Sequence, residues 1–84
     1  MPTVNSLTDS QILALTRFVE ACLRLRGSTQ WRTIFCDCAL RGHFSPFLRL
    51  EDAECLRQLL ENFGPLVVCQ FKTSDLRRAA QKLT

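Results

Sequence analysis

The chain reads as an α+β domain, mostly helical, with four helices in the order α-α-(β)-α-β-α around a minimal sheet. Three observations predict it. A capping pattern at Thr8 opens a long apolar period of helical spacing, the three glycines stand where such periods stop, and residues 66–71 form an apolar, β-branched run between two helical periods. With 84 residues there is room for one core. Residues 8–84 are expected to form that single compact domain, behind an N-terminal tail of residues 1–7.

The first helix starts at Thr8, whose hydroxyl and the Gln11 amide each satisfy a backbone N–H. Leu7 and Ile12 flank the cap as a hydrophobic staple, and Asp9 suits the positive end of the helix dipole. Ile12, Leu15, Val19 and Cys22 mark the buried face, widened by Phe18, Leu23 and Leu25. Arg17, Glu20 and Arg24 mark the polar one, with Glu20 and Arg24 oriented to pair. Gly27 is the stop, and Ser28 or Thr29 caps a second helix after a very short turn. Trp31, Ile34, Phe35, Cys38 and Ala39 give that helix one buried face until Gly42 ends it. Residues 43–47 are irregular because Pro46 removes a donor and bars Ser45 from helical geometry.

Residues 48–50 alternate and read as a short strand. The third helix covers residues 52–63, with Leu56, Leu59, Leu60 and Phe63 inward and an acidic first turn. Gly64 and Pro65 end it. Residues 66–71 then read as a strand, and Thr73 or Ser74 caps a fourth helix with Leu76, Ala79, Ala80 and Leu83 on its face. Two strands separated by a helix would be parallel neighbours. Should the first be absent, the second must pair with another copy, because an isolated strand leaves backbone groups unmet. A homodimer is therefore expected. The expected core is Leu15, Val19, Cys22, Trp31, Ile34, Phe35, Leu56, Leu60, Phe63, Val68 and Leu76.

Composition narrows the function classes. Apolar residues at 46% and charged residues at 23% exclude a disordered or collagen-like chain. The longest apolar runs, residues 12–15 and 65–69, fall far short of the ~20 residues of a membrane span. The first residues lack the basic start and apolar core of a signal peptide. The five cysteines are odd in number, and those on apolar helical or strand patterns fit buried thiols better than a disulfide scaffold. A cytoplasmic protein that does not meet the membrane is expected.

The net charge of +3 is unevenly spread. The first fifty residues and the last fourteen are basic, and residues 51–63 are acidic. Nine of the eleven basic residues are Arg, which grips carboxylate and phosphate alike. Such a layout complements a partner with an acidic surface, or a polyanion.

Chemistry is poorly signalled. Cys36, Cys38, His43 and Cys55 are zinc-type residues, but a knuckle separates its paired cysteines by two to four residues. Cys36 and Cys38 have one between them and face different sides of a helix. Either thiol with His43 could form a nucleophilic dyad, yet nothing is placed to orient the imidazole. No phosphate-binding loop, nucleophile elbow or metalloprotease motif occurs. The reading is of a non-enzyme without cofactor or metal.

Two binding readings remain. The helices around residues 27–28 loosely resemble a helix-turn-helix. This would place Arg24, Arg26, Thr29, Gln30 and Arg32 near DNA, with Arg77, Arg78 and Lys82 adding phosphate contacts. The favoured reading is a regulator, inhibitor or adaptor that grips a larger protein. Phe44 and Phe47, in a loop outside every helical stripe, would be its anchors, with Arg41 and Arg49 beside them.

Overall fold

The computed structural model describes residues 2–26, 30–44 and 48–84; of Arg26 only the backbone is described. Among these residues the regular structure is entirely helical. A 3-10 turn, Val4–Ser6, precedes α1 (Asp9–Arg26), α2 (Trp31–Arg41), α3 (Leu50–Asn62), α4 (Pro65–Cys69) and α5 (Thr73–Lys82). The α+β expectation is therefore corrected, and the sheet completed by a second copy goes with it.

Both strands fail for identifiable reasons. Arg49, in extended backbone, is the N-cap of α3, so Leu50 is already its first helical residue. Residues 66–71 follow a proline at the first helical position, where its fixed φ and missing N–H are suited to starting a helix. Gly64 lends its carbonyl to the amides of Val67 and Val68, at 3.1 and 3.3 Å. The β-branched valines accept this one short helix because its tertiary contacts offset their modest local preference.

α1 lies at the centre, with α2, α3 and α5 all packed on it. Its start is as the sequence predicts. The Gln11 amide N–H donates to Thr8 Oγ1 at 3.1 Å, and the Thr8 N–H donates to Gln11 Oε1 at 3.0 Å. Leu7 and Ile12 are both buried. Val4 is buried too, so the segment read as a tail contributes two side chains to the core, and its turn packs on α5. Gly42 ends α2 at φ 66°, a left-handed conformation that favours glycine, and the His43 N–H closes the turn on the Cys38 carbonyl at 3.1 Å. Gly27, Ser28 and Thr29, the expected stop and caps, lie outside the described residues; Gln30 stands at the N-cap of α2.

Most of the expected core is buried, but Ile34, Leu60 and Phe63 are only half-buried. Larger contributions come from Phe18 and Phe44. With Phe35 they form a cluster whose ring centroids lie 5.5 to 5.8 Å apart.

Among the described residues, one charged side chain is buried. Asp52, in the first turn of α3, accepts a hydrogen bond from Arg17 Nη1 of α1 at 2.8 Å, with Arg49 Nε 3.7 Å from its other oxygen. Glu20 meets Arg77 of α5 at 3.5 Å. Basic and acidic segments thus partly satisfy each other inside the domain.

Candidate functional site

The residues expected to bind a partner are scattered by the fold. Phe44 is fully buried in the aromatic cluster and offers no surface. Phe47 lies outside the described residues. Arg41 is exposed at the end of α2, 3.3 Å from Asp37, whereas Arg49 stands ahead of α3 beside Asp52.

The expected nucleic-acid contacts are divided as well. Thr29 and the Arg26 side chain lie outside the described residues, while Arg24 and Gln30 are exposed. Arg32 is turned inward. Its Nε–H donates to the Cys69 carbonyl and its Nη2–H to the Phe71 carbonyl, both at 2.7 Å, and its guanidinium stacks 4.6 Å from the Trp31 ring centre. It satisfies the carbonyls that the end of α4 leaves open. Arg77 is directed toward Glu20, while Arg78 and Lys82 line an open groove of about 400 Å³ between the 3-10 turn and α5. Asp75 shares that groove, 3.8 Å from Arg78.

The structure brings a different group of residues together, on α2 and α4. Thr73 Oγ1 accepts a hydrogen bond from Trp31 Nε1 at 3.1 Å, Phe71 and Cys69 meet Arg32, and Cys69 Sγ lies 3.2 Å from Cys36 Sγ. As residue number rises along this segment, its partner on α2 falls. Residues 69–73 therefore run antiparallel to α2; Leu66 stands at the start of α4 and Leu40 near the end of α2.

These two leucines are 75% and 87% exposed, and each shares a helix face with one cysteine of the pair, four residues on for Leu40 and three back for Leu66. Leu25, Leu50 and Leu83 are exposed as well, at the ends of α1, α3 and α5. The α2–α4 face thus carries Cys36 and Cys69 in contact, with Leu40 on the Cys36 side of α2, Leu66 on the Cys69 side of α4, and Asp37 and Arg41 on α2 beside Leu40. One signal for it was present in the sequence, since Leu40 is a large apolar residue outside the buried stripe of its helix. Leu66 gave no such signal while its segment read as a strand.

The cysteines differ in environment. Burial raises Cys38, with Asp37 adding to the effect and Arg41 opposing it. Burial and the hydrogen bond to Cys36 push Cys69 from its ordinary 9.0 to about 12. The unfolded thiol ionises first as pH rises, so the folded state loses relative stability between 9.0 and about 12 and gains nothing below that window. Urea midpoints are expected to fall across the window, and less steeply in Cys69→Ser. Equal slopes would remove this account of the thiol.

Among the described residues, no cluster of three or more His, Cys, Asp or Glu side chains is arranged to hold a metal ion. Nor is any helix long and apolar enough to cross a membrane. In comparisons with protein-family models, curated proteins and solved structures, nothing matches this chain.

Proposed function

We propose that the protein is a non-catalytic binding domain, a regulator or adaptor, whose contact surface is the α2–α4 face and whose first occupant is a second copy of the chain. The observation that carries this reading is the exposure of Leu40 and Leu66, each on the helix face of one member of the Cys36–Cys69 pair. Water-exposed leucines gain from being covered, on the order of 1.5–3 kcal/mol for each one fully buried.

Charge supports a like-with-like contact. Asp37 and Arg41 lie together on one side of Leu40, 3.3 Å apart and oppositely charged. In the proposed dimer a two-fold axis through this face sets Asp37 of each copy toward Arg41 of the other, exchanging the pair each chain makes within itself. A homodimer then arises from helix faces and needs no sheet edge. A larger protein partner is proposed to dock on the same α2–α4 face.

Sedimentation velocity at high micromolar concentration tests the reading. The wild-type chain is expected to sediment as a dimer, and Leu40→Glu combined with Leu66→Glu to weaken association at least a hundredfold, roughly 3 kcal/mol. Asp37→Arg alone should weaken it, and Asp37→Arg with Arg41→Asp should restore it. A wild-type monomer at that concentration defeats the proposal.

A further inference from the structure

We propose that Cys36 and Cys69 are the site of a reversible disulfide that staples α4 to α2, made by exchange with a low-molecular-weight disulfide of the glutathione type. The two sulfurs lie 3.2 Å apart, on different elements, and each is only half-buried. Forming the bond requires them to close by about an ångström, to ~2.05 Å. The backbone at both positions is already fixed by other contacts. Cys36 is one turn along α2 from Arg32, and Arg32 holds the Cys69 carbonyl at 2.7 Å. Cys22 and Cys38 are buried away from such a reagent.

The order of steps follows from the surroundings. Cys69 holds its proton more tightly than an ordinary thiol, because it is buried and hydrogen-bonded to Cys36. Cys36 therefore attacks first, since the thiolate is the nucleophile. Its sulfur bonds to one sulfur of the reagent, the reagent's S–S bond breaks, and the departing thiolate takes the Cys36 proton. Once Cys36 is in the mixed disulfide, the Cys69 thiol, 3.6 Å from the Arg32 carbonyl, stands beside it. Cys69 then loses its proton and attacks Cys36 Sγ, and the second reagent thiolate leaves carrying that proton. Two protein thiols are oxidised, and one reagent disulfide is reduced to two thiols.

The disulfide joins α2 to α4 and does not depend on self-association. Cross-linking positions 36 and 69 removes freedom from the unfolded chain, so melting is expected to rise by on the order of 10 °C.

The experiment treats dilute full-length protein with glutathione disulfide and reads intact mass, peptide map and melting temperature. Expected are a monomer lighter by two hydrogens, a Cys36–Cys69 peptide, a higher melting temperature, and full reversal by dithiothreitol. Cys69→Ser should stop at the glutathione adduct on Cys36, and Cys55→Ser should behave as wild type. A chain that stays reduced, a cross-link mapping to another pair, or a covalent dimer in place of the internal bond would overturn the proposal. So would a stable adduct on Cys69 in the wild-type protein.

Discussion

Phe44→Ala is expected to lower the unfolding free energy by about 3–5 kcal/mol, the usual cost of deleting a fully buried phenylalanine. The ring is 0% exposed and lies edge-on to Phe18, with centroids 5.8 Å apart and an 80° interplanar angle. It also sits 5.5 Å from Phe35, so its removal opens a cavity where three rings meet. Domains of this size hold only about 5–15 kcal/mol in reserve, so the variant should be close to unfolding at body temperature. Urea denaturation checks it. A residue serving as an exposed interface anchor behaves in the opposite way, with stability unchanged and association lost, and that outcome would contradict the structure at this position.

Arg32→Ala is expected to cost about 2–4 kcal/mol, from two charge-assisted hydrogen bonds and a cation–π stack, less what water restores at a half-buried site. Both acceptors are carbonyls at the end of α4, so the damage should be local first. Hydrogen exchange should accelerate across residues 65–71 before α1 or α3 loosens. Arg32→Lys should restore only part, because an ammonium cannot span two carbonyls as the planar guanidinium does. If Arg32 instead read DNA, its loss would leave stability intact and weaken a salt-sensitive mobility shift. Unchanged exchange in α4 would contradict the structural role.

What the sequence made legible was local. The Thr8–Gln11 cap, the Gly42 stop and the acidic start of α3 each depend on residues within a turn of one another, and each appears in the fold. α4 was not legible, because a short apolar run with two valines suits a buried strand or a buried helical turn equally. Pro65 was the local hint, and what secures the helix, Arg32, lies 37 residues from Cys69. The site shows the same division. Leu40 lies outside the buried stripe of its own helix, a local pattern, whereas the pairing of Cys36 with Cys69 depends on how α4 meets α2. Phe44 misled for a related reason, since a loop position says nothing of a ring folded back between Phe18 and Phe35.

The central claim is that the α2–α4 face is where this protein makes contact, and amide chemical shifts followed through a dilution series test it most directly. The account predicts concentration-dependent shifts at Asp37, Leu40, Arg41, Leu66 and Gln70, abolished by Leu40→Glu with Leu66→Glu. Shifts gathered at Arg78 and Lys82, or none at all at high micromolar concentration, would contradict it.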